Sequence, residues 1–176
     1  MSDIANEFAR PARIDTIGDE DHLIAIEADE TERAALARRF DLVTVDRLTA
    51  EVHVRRVGQI VHAHGIVRAG VVQSCVATGE PLPVTVSAPL LLRFVPEAEM
   101  AAQEEMELEA DDCDTIGYDG AAVDLGEAAA ETLYLALDPF PRAPDADQTL
   151  KAAGVVDAED VGPFAALKSL RDKLGK

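Results

Sequence analysis

The sequence predicts an α+β fold: a strongly curved antiparallel β-sheet or partial barrel of about five to seven strands, with two or three helices packed against it. Three observations carry this expectation. Residues 42–96 alternate apolar and polar side chains in long runs separated by short turn signals, as antiparallel strands joined by hairpins do. Two stretches open with an aspartate followed three residues later by glutamate and continue with helix formers. Glycines at Gly65 and Gly70 interrupt a strand pattern, which marks a bulge or a barrel corner and hence curvature.

From the start of the chain, ARPARIDTIG and HLIAIEA are each compatible with one short strand, Leu23, Ala25 and Glu27 alternating with Ile24 and Ile26. A helix is expected over 30–40. Asp29 can cap it, Glu32 stands where a capping box needs it, and Arg38 and Arg39 suit the negative end of the helix dipole. LVTVDRLTAEVHVRRV then reads as a strand or a bent pair of strands. Leu48, Ala50, Val52 and Val54 lie on one side, with Thr49, Glu51, His53 and Arg55 on the other. Gly58-Gln59 is a turn signal before the central strand.

The stretch HGIVRAGVVQSCVATGEPLPVTVSAPLLLRFVP reads as a hairpin-like unit around ATGEPLP, whose Gly79, Pro81 and Pro83 fit poorly inside a ladder. Val67, Ala69, Val71, Gln73 and Cys75 share one face of the first arm; Val84, Val86, Ala88, Leu90 and Leu92 share one face of the second. The following EAEMAAQEEMELEADDCD has helical propensity in its first half but many uncompensated carboxylates. An acidic mobile loop over about 97–114 is expected, with a short edge strand through Met106, Leu108 and Ala110 as the competing reading. A short strand at 115–118 and an Asp119-Gly120 turn lead to a helix capped by Asp124. Glu127 completes its box, Leu125, Ala128, Ala129, Leu133 and Leu137 form its apolar stripe, and Pro139 stops it. Residues 1–145 are expected to form a single α+β domain. Residues 146–176 should be a linker and a short final helix with Pro163 at its first position.

With 176 residues, 48% of them hydrophobic, the chain can bury a core of its own despite a net charge of −18. Aromatics are only 4% and Trp is absent, so Val, Leu, Ile and Ala must fill that core. No apolar run reaches the ~18–20 residues of a membrane span, and the first residues lack the pattern of a secretory signal. A cytoplasmic protein without membrane contact is the expectation.

The charge is uneven: residues 1–93 carry a net of −4 and residues 94–176 a net of −14. No Lys or Arg falls between Phe94 and Pro141. Such a stretch is either a solvated acidic loop or a surface for a basic partner, with Glu104, Glu105, Glu107 and Glu109 as its candidate residues. The candidate contacts for RNA are arginines of the first half, Arg55, Arg56 and Arg68, although Arg55 and Arg56 point to opposite faces of one strand. His62 and His64 have the spacing at which two imidazoles can share a metal, with Cys75 and Cys113 as further soft ligands. Against this, a structural zinc site usually brings a close cysteine pair. No P-loop, dinucleotide glycine pattern, nucleophile elbow or HExxH occurs, and neither cysteine has an identifiable base. No catalytic residue, cofactor or metal is therefore assigned, and the chain is expected not to be an enzyme.

The run VVQSCVATGEPLPV, the strand ending in FVPE, the acidic gap and VDLGEAAAETLYLALDPFPRAP together resemble the YceD family of bacterial large ribosomal RNA subunit accumulation proteins. The N-terminal PARIDTIGDEDHLIAIEADETERAALARRFDL and the C-terminal GPFAALKSLRDKL resemble its alphaproteobacterial branch. Many relatives have a second cysteine where this chain has Thr78. The resemblance implies a non-enzymatic factor supporting accumulation of large-subunit ribosomal RNA and ribosome assembly. Its expected partners are ribosomal RNA or a pre-ribosomal particle, and a small basic ribosomal protein of the large subunit. The alternative is an acidic adaptor or holding protein for that basic protein, without direct RNA contact.

Overall fold

In the computed structural model, which describes residues 6–103 and 114–155, the elements run β1 (Pro11–Arg13), β2 (His22–Glu27), α1 (Glu30–Arg39), β3 (Thr44–Val57), β4 (Ile60–Ser74), β5 (Pro81–Pro96), α2 (Glu97–Gln103), β6 (Asp114–Tyr118), β7 (Ala122–Asp124), α3 (Leu125–Leu135) and α4 (Ala146–Ala152). Five strands form one sheet in the order β2-β3-β4-β5-β6, and β1 pairs with β7 in a separate two-stranded sheet. The architecture is α+β, and the large sheet stays open, with β2 and β6 at its two edges.

The expected sheet was antiparallel throughout, but β6 runs parallel to β5, from Leu92 opposite Asp114 to Pro96 opposite Tyr118. A parallel neighbour needs a connection of a dozen or more residues, and 17 positions, 97–113, separate the two strands in sequence. The start of this connection is helical, where a mobile loop was expected. Glu97 and Glu99 sit in the first turn of α2, where the helix dipole favours negative charge. Met100 packs where Gly117 leaves room: a β-carbon on Gly117 would come within 2.7 Å of its sulfur. Glu104, Glu105, Glu107, Glu109 and Cys113 lie outside the described residues, as does the predicted final helix.

The described residues divide into two compact units, one formed by those up to Gln73 with those of Pro83–Pro139, the other by Ser74–Leu82 with those from Phe140 on. In the first, period-two alternation sets the core. Leu48, Ala50, Val52 and Val54 of β3, Val61, Ala63, Val67, Ala69 and Val71 of β4, and Val86, Ala88, Leu90 and Leu92 of β5 are all buried in one cluster. Leu36 and Ala37 of α1, and Leu125, Ala129 and Leu133 of α3, join the same cluster. Both helices therefore serve this inner face. Each fully buried Leu or Val contributes roughly 1.5–3 kcal/mol relative to exposure. A bulge between Val45 and Arg47 shifts the phase of β3, so that Val45 and Leu48 both reach the core.

The cap of α1 forms as the sequence predicts: Asp29 accepts from the Glu32 N–H at 2.9 Å, and the Glu32 carboxylate accepts from the Asp29 N–H at 2.8 Å. Arg10 then grips Glu32 with both guanidinium nitrogens, at 2.7 and 2.8 Å, and holds its carboxyl below the usual range. The cap of α3 departs from expectation. One oxygen of Asp124 accepts from the N–H groups of Gly126, Glu127 and Arg10. Glu127 does not close a box; its carboxylate is drawn instead to Arg39 at the end of α1, at 2.9 Å.

The second unit contains α4, in a stretch expected to be a linker. Its seven residues ADQTLKA include good helix formers, and Ala146 is anchored by burial against Cys75 and Ala143. The turn after β4 closes through the Gly79 N–H donating to the Cys75 carbonyl at 2.8 Å, with Gly79 in the left-handed region at φ 75°.

Candidate nucleic-acid interface

Because α1 and α3 pack on the inner face, the residues that alternate with the core point the other way, over β2 to β5. On β3 these are Arg47, Thr49, Glu51, His53 and Arg55; on β4, His62, His64, Ile66, Arg68 and Gly70; on β5, Thr85, Ser87, Leu91 and Arg93. The face is concave: Glu27, Arg47, Thr49, Glu51, Arg68, Thr85 and Ser87 line a cleft of about 720 Å³. Gly70 lacks a side chain in the middle of it, and a β-carbon there would find its nearest neighbour only at 3.9 Å.

Four arginines stand on this face, Arg47, Arg55, Arg68 and Arg93, against the carboxylates of Asp21, Glu27, Glu51 and the bulge residue Asp46. The chain as a whole has 34 acids to 16 Lys and Arg, so its excess of acid is locally lifted here. The arginines are only lightly held. Arg47 is exposed and makes no ion pair or hydrogen bond among the described residues. Arg55 reaches Asp21 only at 3.9 Å, and Arg68 meets Glu51 at 2.9 Å with both side chains half exposed, where a pair contributes about 0–1 kcal/mol. Arg93 donates to Thr115 Oγ1 at 3.2 Å, while its buried Nε has no protein partner among the described residues. Beside them His53 and His64, opposite one another on β3 and β4, stack with ring centroids 5.2 Å apart.

Of the arginines singled out from sequence, Arg55 and Arg68 meet on this face. Arg56 lies on the opposite side, in a second cleft with Asp15, Gln59 and Tyr118. Arg47, Arg93 and the histidine stack were missed as contributors. Strand alternation could have pointed to all of these, since Arg47 is in phase with Thr49 and His53, and Arg93 with Leu91. His62 and His64 share the outer face of β4, and no group of three or more His, Cys, Asp or Glu suited to a metal occurs among the described residues.

Cys75 belongs to the second unit. Its thiol is buried, and a hydrogen bond with the Thr78 side chain, followed by the Ala143 N–H at 3.3 Å, lowers its pKa from 9.0 to about 7. Thr78 is thus the main group stabilising the thiolate.

No helix among the described residues is long and apolar enough to cross a membrane. No curated protein and no solved structure matches the chain. The model of the family described as "Large ribosomal RNA subunit accumulation protein YceD" does match, over residues 63–171, from near the start of β4 past the end of α4. That span takes in the hairpin-like unit, the acidic gap and the helix α3, and the chain belongs to the YceD family of large ribosomal RNA subunit accumulation proteins.

Proposed function

We propose that the protein is a non-enzymatic factor in large-subunit assembly that supports accumulation of the ribosomal RNA by touching it directly, through the open face of β2 to β5. The observation that carries this reading is the set of exposed arginines Arg47, Arg55 and Arg68 on the side of the sheet opposite α1 and α3, in a chain of net charge −18. An acidic protein repels phosphate over most of its surface, so RNA can approach only where the excess of carboxylates is lifted locally. Splayed bases stack on imidazole and guanidinium planes, which favours single-stranded loops over duplex. The His53–His64 stack beside Arg55 and Arg68 offers both kinds of plane.

The test is binding of single-stranded large-subunit ribosomal RNA fragments across a salt series, with the Arg47→Ala/Arg68→Ala double variant beside the native chain. Each phosphate contact on a single strand contributes roughly 0.7 to the slope of log affinity against log salt. The double variant should lower that slope by roughly 1.4. An unchanged slope and affinity would remove this face from the reading, and failure of the native chain to bind RNA at low salt would leave an indirect role, as an acidic adaptor.

A further inference from the structure

The sheet has an edge whose backbone is largely unused among the described residues. There β2 pairs only with β3, His22 opposite Val54 through Glu27 opposite Thr49. The Ala28 N–H donates to the Leu48 carbonyl at 3.0 Å, which fixes the phase of the ladder. Hydrogen-bonded pairs alternate along an antiparallel pair, so His22, Ile24 and Ile26 turn their N–H and C=O groups to β3. Those of Leu23, Ala25 and Glu27 then point to the open edge. Arg10 already covers one of them, donating to the Glu27 carbonyl at 2.9 Å. Leu23 and Ala25 keep both groups without a partner among the described residues.

Natural edge strands are commonly protected by Lys, Pro or a bulge. β2 has none of these over its six residues HLIAIE. Leu23 is 51% exposed on the outer side, and Ile24 on the inner side is only partly buried against the core. Exposed carboxylates flank the strand at both ends: Asp19 and Glu20 before it, Glu27 and Glu30 at and after its end. A second copy of the chain would set these four acids against themselves.

We propose that β2 is a docking edge for an extended segment of a basic protein, which adds a sixth strand to the sheet. Its apolar middle covers Ile24, and its Lys or Arg residues meet the acids at the two ends. Main-chain hydrogen bonds to Leu23 and Ala25 supply the register, and the flanking charges select the partner. This edge is distinct from the arginine face, and the proposal does not depend on RNA binding.

The probe is a synthetic peptide of alternating Val and Thr with two lysines at each end, titrated into the full protein beside the same peptide with a central Pro. Both carry equal charge, but only the first can pair along its length. The expected result is slowed amide exchange at Leu23 and Ala25 and an affinity about tenfold tighter for the uninterrupted peptide, as the loss of one or two hydrogen bonds implies. Ala25→Pro should cost a similar factor while leaving the fold intact, because the Ala25 N–H is outside the β2–β3 ladder. Equal affinity for the two peptides would overturn the proposal in favour of charge alone. So would absence of peptide binding, including the case of a concentration-dependent dimer that Ala25→Pro abolishes.

Discussion

Gly65→Ala and Gly70→Ala place one methyl group at two positions of the same strand, five residues apart, and should move stability in opposite directions. A β-carbon on Gly65 would overlap the Glu51 carbonyl oxygen and lie 2.9 Å from both the Glu51 carbonyl carbon and Val52 Cα. All three atoms are backbone of the adjoining central strand, so no rotamer change relieves the clash; β3 and β4 must separate. Overpacking of this kind costs about 1–3 kcal/mol, and more where backbone must move, against a gain of about 0.5–1 kcal/mol for replacing Gly by Ala. A net loss of about 2 kcal/mol lowers Tm by roughly 4–8 °C for a chain of this size. At Gly70 the nearest atom to the new carbon is 3.9 Å away and only the gain remains, a rise in Tm of roughly 1–4 °C. Thermal and urea unfolding followed by circular dichroism would measure both. A neutral Gly65→Ala, or equal shifts for the two variants, would refute the close approach of the strands at Gly65.

Asp124→Ala leaves three backbone N–H groups without their shared acceptor, and Asn6 Nδ2 without its partner at 2.7 Å; a loss of about 2 kcal/mol or more is expected by urea unfolding, with Asp124→Asn recovering part of it. The Cys75 thiol, at about 7 in the folded protein and 9.0 ordinarily, loses its proton first in the folded state. Between pH 7 and 9 the unfolded chain therefore holds a proton that the folded chain does not, and stability should rise through that window, the contribution vanishing as pH falls below 7. Urea midpoints of Cys75→Ser should lack this rise; identical pH profiles for the two proteins would contradict it.

Local rules made the long strands and both capped helices legible. Leu48, Ala50, Val52 and Val54 sit inward and Thr49, Glu51, His53 and Arg55 outward because each strand obeys period two against a single core. What escaped depends on groups distant in sequence. The parallel direction of β6 is set by its pairing with Leu92 to Pro96, to which the residues of β6 themselves give no clue. Glu127 is placed as a capping-box residue by its spacing from Asp124, yet an arginine 88 positions away takes its carboxylate. The helix α2 was masked by its uncompensated glutamates, since the contact with Gly117 lies beyond the gap. On the candidate interface, Arg55 and Arg68 follow from alternation within their strands. Arg47 follows from the same alternation, two residues before Thr49; what the bulge changes is Val45, which it turns inward, a backbone event with no side-chain signature.

The turn that holds Cys75 is completed by Ala143 and Ala146, and the N–H that contacts its sulfur comes from a residue 68 positions later. Synthesis runs in one direction, at about 5–20 residues per second, so the hairpin tip leaves the ribosome roughly 3–14 seconds before its cover exists. In that interval the thiol lacks the Ala143 hydrogen bond and the packing of α4, although Thr78 is already beside it. Oxidants or electrophiles present during translation thus meet a Cys75 that the finished protein conceals, and a thiol modified at that stage would have to be accommodated in a site built for a bare sulfur.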